Sequence, residues 1–185
     1  RLRLKLETES ESLRNIEIYS AARPGTQRYE SSLQTLAQSF FDLELWEKAV
    51  ETLTQLIGAF PTRPESYVQR GDAYLALGDN QSAINDFSMA VSLDQHDSEN
   101  LVARGKGYAA AQEYDLARND LEIAIGLNPD SSEAYKLRGI LALQRGDQSE
   151  ALSDLDRAIE ILPVNDDAFF QRAIAYSQIG ETERA

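Results

Sequence analysis

Apolar positions along this chain recur at helical spacing in runs of about 13 residues, and the runs themselves repeat. The strings YVQRGDAYLALGD, LVARGKGYAAAQE and YKLRGILALQRGD place Arg70-Gly71, Arg104-Gly105 and Arg138-Gly139 at intervals of 34 residues. A second set, SAINDFSMAVSLD, LARNDLEIAIGLN and EALSDLDRAIEIL, repeats with the same period. It aligns Ala83, Ala117 and Ala151, then Asp86, Asp120 and Asp154, then Ala90, Ala124 and Ala158. Fixed-period self-similarity predicts a stacked array in which each unit packs on its neighbours, not a single closed core.

With Glu30 as the first place of a unit, the chain divides into 30–63, 64–97, 98–131 and 132–165, with a partial unit over 166–185. Within the units a break falls at Gly78-Asp79, Gln112-Glu113 and Gly146-Asp147, and at Gly180 in the last. Pro61, Pro129 and Pro163 mark the passage between units, because proline cannot continue a helix. Each unit is therefore a helix hairpin: helix A, a short turn, helix B.

Small residues predict how the two helices meet. Gly71, Gly105 and Gly139, with Ala37 and Ala173 at the same place, sit mid-helix, where glycine costs ~1 kcal/mol against alanine. Close approach of a helix B presenting Ala49, Ala83, Ala117 and Ala151 would offset that cost. Large residues alternate with the small ones: Phe40, Tyr74, Tyr108 and Tyr176 on helix A, and Leu53, Phe87, Leu121 and Leu155 on helix B. Trp46 and Met89 are expected to be packing residues as well.

This pattern resembles the tetratricopeptide repeat over residues 30–185, without an insertion. The departures are minor: Gln95 stands where proline is usual, Ala142 where an aromatic is usual, and Leu56 where a small residue is usual. The resemblance implies an all-α, right-handed superhelix of tandem helix-turn-helix repeats, an α-solenoid whose concave face is lined mainly by helix A. Some relatives bind the acidic C-terminal tails of heat-shock chaperones through a carboxylate clamp. That clamp uses lysine and asparagine one turn apart, an asparagine in the next unit and a basic pair in the third. The corresponding places here hold Gln34 and Gln38, then Gln69, then Glu99 and Ala103, so chaperone-tail binding is not expected.

Residues 1–29 fit the period less well. RLRLKL alternates like a strand, yet Leu2, Leu6, Leu13 and Ile16 also suit a helix face. Tyr19 and Ala22 are spaced like Phe87 and Ala90, so 12–22 reads as helix B of a degenerate preceding unit, ended by Arg23-Pro24-Gly25. The chain starts at Arg1 and stops at Ala185 partway through a unit, which suggests a piece of a longer protein whose last helix A lacks its cover.

Charge narrows the partners. The net charge is −13, split as +2 over residues 1–29 and −15 over 30–185. An acidic body repels phosphate backbones, so nucleic acid is not the expected partner. No stretch approaches the ~18 apolar residues of a spanning helix, and membrane insertion is not expected. With no cysteine there is no disulfide framework.

Candidate chemistry is sparse. His96, the single histidine, lies in Asp94-Gln95-His96-Asp97, where the aspartates suit turn formation and helix capping better than metal binding. No Gly-rich phosphate loop, nucleophile motif or HExxH is present, so no catalytic residue, metal site or cofactor is expected. Arg70, Arg104 and Arg138 each have an aspartate sixteen residues later, Asp86, Asp120 and Asp154, whereas unit one has Leu36 and Thr52. Joint presence and joint absence predict a paired contact between helix A and helix B. Arg172 completes the arginine series. The alternative is a row of guanidinium groups open to a carboxylate or phosphate ligand.

Glu65, Glu99, Glu133 and Asp167 lie one residue into each helix A. Acids there complement the helix dipole, at ~0.3–1 kcal/mol each; they would also form an acidic groove rim for a basic ligand. Helix-A residues off the Gly/aromatic face become more apolar toward the C-terminus. The candidate peptide-binding groove is Val102, Lys106, Lys136, Leu137, Ile140, Leu143, Phe170 and Ile174. The expected activity is a non-catalytic protein–protein interaction scaffold. Its partner would be a protein or peptide, apolar or amphipathic with basic flanks, and open repeat ends would permit self-association. The alternative is a regulatory or substrate-recruiting segment of an enzyme whose catalytic domain lies outside this sequence.

Overall fold

The computed structural model describes residues 27–178 and Gly180. Among these residues there are nine α-helices and no strand: α1 Gln27–Asp42, α2 Trp46–Ala59, α3 Pro64–Ala76, α4 Asn80–Leu93, α5 Ser98–Ala110, α6 Tyr114–Leu127, α7 Ser132–Arg145, α8 Gln148–Ile161 and α9 Asp166–Gln178. Odd-numbered helices are the expected A helices and even-numbered ones the B helices, so the fold is an all-α solenoid of helical repeats. Helix α1 is already helical at Gln27, three residues before the expected first place of its unit. The helix or strand expected within residues 1–26 lies outside the described residues.

Each hairpin turn has the same construction. One residue per turn takes a left-handed conformation: Glu44 (φ 55), Gly78 (φ 78), Gln112 (φ 62) and Gly146 (φ 80). The N–H of the next residue then reaches back five positions: Leu45 to the carbonyl of Phe40, Asp79 to Tyr74, Glu113 to Tyr108 and Asp147 to Ala142, all at 2.8–2.9 Å. This closure satisfies carbonyls that the end of helix A would leave bare. Helix starts are capped by short polar side chains. Asp79 accepts from the Ser82 N–H, Asp97 from Glu99, Asp147 from Glu150, Ser131 from Ala134 and Asn165 from Ala168. Pro64 occupies the first turn of α3, where its missing N–H costs nothing.

The chain divides into two units, residues 1–93 and 94–185. In the first, Leu33 and Ala37 of α1 pack on Leu53 and Leu56 of α2. Leu36, Phe40, Ala49 and Ala73 join α1, α2 and α3, while Ile57, Tyr67 and Ala90 join α2, α3 and α4. In the second unit Leu155 and Ala158 of α8 pack on Ala168 of α9, with Tyr135 and Leu143 of α7 against them.

The helix-A glycines are where helix B comes closest. A Cβ built on Gly71 would stand 2.5 Å from the Phe87 ring; on Gly105, 3.1 Å from Leu121 Cγ; on Gly139, 2.9 Å from Leu155 Cγ. Phe87, Leu121, Leu155 and the four helix-B alanines at the close-packed place are fully buried. Trp46 packs edge-on against Phe41, with ring centroids 5.3 Å apart. Met89 departs from expectation and is exposed. Two residues beyond buried Phe87 on the same helix, it points to the opposite side.

Candidate functional site

Within residues 94–180 three A helices, α5, α7 and α9, stand side by side, α7 touching both others. Each carries the same same-face series at i, i+3 and i+7: Glu99, Val102 and Lys106; Glu133, Lys136 and Ile140; Asp167, Phe170 and Ile174. One ion-pair node ties two of these rows together. Lys136 Nζ lies 2.8 Å from Glu133 Oε2 on its own helix and 3.2 Å from Asp167 Oδ2 on the next. Burial acts to lower the Lys136 pKa, but the hydrogen bonds and charges of Glu133 and Asp167 outweigh it, and the pKa is raised.

The sequence-predicted groove residues are not equally available. Phe170 is 62% exposed, and Leu137, Ile140 and Ile174 are half-buried. Val102, in contrast, is only 8% exposed and belongs to the packed interior. Leu143 leans on the Leu155–Ala158–Ala168 cluster, so it too serves packing. Lys106 is half-buried. Glu65 in the first unit and Glu99, Glu133 and Asp167 in the second are exposed at the second residue of their helices. Glu133 and Asp167 are not two free acids, however, because Lys136 stands between them. The node carries a net charge of −1, not −2. The spacing of Lys136, three residues after Glu133, is the signal by which the sequence could have shown this.

The arginine series is structural in three of its four members. Arg70, Arg104 and Arg138 each donate from Nε and Nη2 to the two oxygens of Asp86, Asp120 and Asp154, at 2.6–2.9 Å. The three aspartates are buried. Each arginine pKa is raised, first by the hydrogen bond to its aspartate, against the lowering effect of burial. An open guanidinium ladder is therefore not what these three form: their forks are filled from within. The bidentate geometry sets the rotation of helix B against helix A.

His96 lies exposed in its turn, where its backbone N–H donates to Asp94 Oδ1 at 3.0 Å. Among the described residues no cluster of three or more His, Cys, Asp or Glu is arranged to hold a metal ion. None of the described helices is long and apolar enough to cross a membrane. Another contact that the repeat pattern does not announce joins α6 to α8. Arg118 of α6 donates to both oxygens of Glu150 in α8, at 3.0 Å from Nη1 and 2.5 Å from Nη2. Its partners sit in different repeats, so the 34-residue register gives no hint of it.

The tetratricopeptide repeat profile matches residues 35–98 and 102–166. The chain belongs to the tetratricopeptide repeat family. No curated protein matches it in sequence. Among solved structures, a thermophilic tetratricopeptide repeat protein from Thermus thermophilus superposes with a TM-score of 0.73 at 23% identity, over 94% of this chain and 99% of that one. A tetratricopeptide repeat protein from Parabacteroides merdae gives 0.77 at 21%, over 97% and 75%. The first such domain of Spaghetti (RPAP3), solved with the HSP90 peptide SRMEEVD, gives 0.59 at 21%, over 63% and 93%. At these identities the likeness is one of fold.

Proposed function

We propose that this tetratricopeptide repeat chain is a non-catalytic protein–protein interaction scaffold that holds an apolar or amphipathic segment of its partner along the A-helix face of residues 94–180. The observation that carries the reading is the strip Leu137, Ile140, Phe170 and Ile174, with Phe170 62% exposed, bounded at one end by the Glu133–Lys136–Asp167 node. Apolar side chains in a row beside a fixed charge cluster suit a peptide whose apolar residues are read by the strip and whose register is set by one polar contact. The net negative charge of the node favours a basic residue flanking the apolar stretch.

The test is affinity capture with the wild-type chain, with Ile140→Glu on the strip and with Ile123→Glu on α6, an exposed position away from it. Partners lost on Ile140→Glu and retained on Ile123→Glu are the expected result, with circular dichroism and melting unchanged in both. Equal recovery by all three proteins would remove the strip from consideration.

A further inference from the structure

The outer face of α6 carries a row of side chains that the repeat does not require. Leu116, Ile123 and Leu127 are 44–48% exposed, and their spacing of seven and four residues sets them on one side of the helix. At the place of Leu116 the other B helices have Lys48, Ser82 and Glu150; at that of Ile123 they have Gln55, Met89 and Arg157. Polar residues are therefore tolerated at both places. Among the described B helices, α6 alone fills both with aliphatic side chains.

Gly126 lies on the same side, exposed, with nothing within 4 Å of the position a Cβ would take. Gly71, Gly105 and Gly139 are explained by a neighbouring side chain 2.5–3.1 Å from that position. Gly126 has no such neighbour, although a glycine within a helix weakens it. Gly58 stands at the same place in α2 and is equally open, but Lys48 and Gln55 leave no apolar row beside it. Only on α6 does the gap adjoin an apolar row.

One edge of that row is acidic. Asp115 and Glu122 each precede an apolar residue by one place, so they lie a heptad apart along the same edge. Glu122 accepts from Arg118 Nε at 2.8 Å, but Arg118 also serves Glu150, so these three groups keep a net charge of −1. Asp115, with its side chain 93% exposed, meets Arg145 only at 3.4 Å. Such an exposed pair neutralises little.

We propose that the outer face of α6 docks a basic amphipathic helix of a partner protein. The apolar stripe of that helix lies along Leu116, Ile123 and Leu127, and one of its large side chains enters the space above Gly126. Its lysines or arginines, one heptad apart, meet Asp115 and Glu122. Asn119, exposed between Leu116 and Ile123, takes a polar side chain of the partner and fixes the register. Charge selects this occupant over a second copy, because two chains of net charge −13 would set acid against acid along the same edge. The surface belongs to a B helix, whereas the strip proposed above belongs to the A helices α7 and α9.

The probe is a labelled synthetic peptide of three heptads, with isoleucine and leucine at the core places, one core asparagine, and lysine at both flanking places of each heptad. A matched peptide has glutamate in place of every lysine. Titrated with the full chain and followed by fluorescence anisotropy, the lysine peptide should bind one to one, and less tightly as salt is raised. The glutamate peptide should bind roughly tenfold or more weakly. Ile123→Glu should weaken the lysine peptide by a similar factor. Gly126→Leu should do the same without lowering Tm, since its side chain meets open space in the free protein; a merely structural glycine would not give that split. Ile140→Glu should leave this binding unchanged, so the α6 face and the strip can fail separately. The proposal is overturned if the lysine peptide does not bind, if the glutamate peptide binds equally well, or if neither Ile123→Glu nor Gly126→Leu matters. Loss on Ile140→Glu with retention on Ile123→Glu would overturn it by moving the peptide to the strip. Concentration-dependent dimerisation abolished by Ile123→Glu would overturn it by making a second copy the occupant.

Discussion

Arg104 and Asp120 are joined by two parallel hydrogen bonds, Nε to Oδ2 at 2.6 Å and Nη2 to Oδ1 at 2.9 Å, across the interface of α5 and α6. The aspartate side chain is 3% exposed and the arginine 22%, so the two partners are unequal. Removing the arginine strands a buried carboxylate. Arg104→Ala should destabilise by about 2–4 kcal/mol, toward the lower part of the range for a broken buried pair because the guanidinium keeps some contact with water. Arg104→Lys retains the charge but loses the fork, and should recover only part of the loss. Urea denaturation of the two variants checks both; a cost below about 0.5 kcal/mol for Arg104→Ala would mean the pair is an exposed ornament.

Gly71 makes the opposite kind of prediction, since alanine is ordinarily the better helix former. A Cβ there would meet Phe87 Cε1 at 2.5 Å, and Phe87 is fully buried. The gain of ~1 kcal/mol in helix propensity is outweighed by overpacking, which costs about 1–3 kcal/mol. Gly71→Ala should therefore lower Tm, and adding Phe87→Leu should restore part of it. If Gly71→Ala alone raises Tm, the close approach is not what keeps glycine at this place.

Most of the fold was legible because the chain states it repeatedly. Three copies of Arg-Gly and of Ala-x-x-Asp fixed helix partners, turn places and the arginine–aspartate pairs, and each copy checked the others. What the repeat could not reveal was whatever differs between copies. Val102 and Phe170 occupy the same place two repeats apart, with Lys136 at that place in the repeat between, yet one is buried and the other exposed, because burial depends on which side chains happen to flank that place. The Lys136 node and the Arg118–Glu150 pair likewise join residues at non-equivalent places. A candidate site is made of such departures from the repeat, which is why it was less readable than the scaffold.

Gln112 is one departure with a simple consequence. It takes the left-handed conformation, φ 62, at the turn place where Gly78 and Gly146 stand in neighbouring units. A side chain there costs roughly 1–2 kcal/mol, part of which returns because glycine loosens the unfolded chain. Gln112→Gly should stabilise by about 0.5–1 kcal/mol, and Gly146→Gln should destabilise by a similar amount. Paired thermal melts decide the matter; a fall in Tm for Gln112→Gly would show that the glutamine side chain makes a contact worth more than the strain.

Lys136 carries the pH dependence specific to the proposed strip. Burial alone would lower its pKa, but Glu133 and Asp167 hold the ammonium form and raise it above 10.5, the ordinary lysine value. A raised pKa in the folded state ties the protonated lysine to the fold. Its contribution is complete below about pH 10 and is lost as pH rises through the folded value, with no counterpart on the acid side from this group. Lys136→Met keeps the length of the side chain and removes the titration. The wild type should therefore be the more stable protein at about pH 8, and the difference should shrink as pH rises above about 10 and through the raised lysine pKa. A difference in denaturation midpoint that does not shrink as the lysine is deprotonated at alkaline pH would mean that the node holds Glu133 and Asp167 through packing of the lysine stem and not through its charge, and the basic-flank preference proposed for the partner would lose its electrostatic basis.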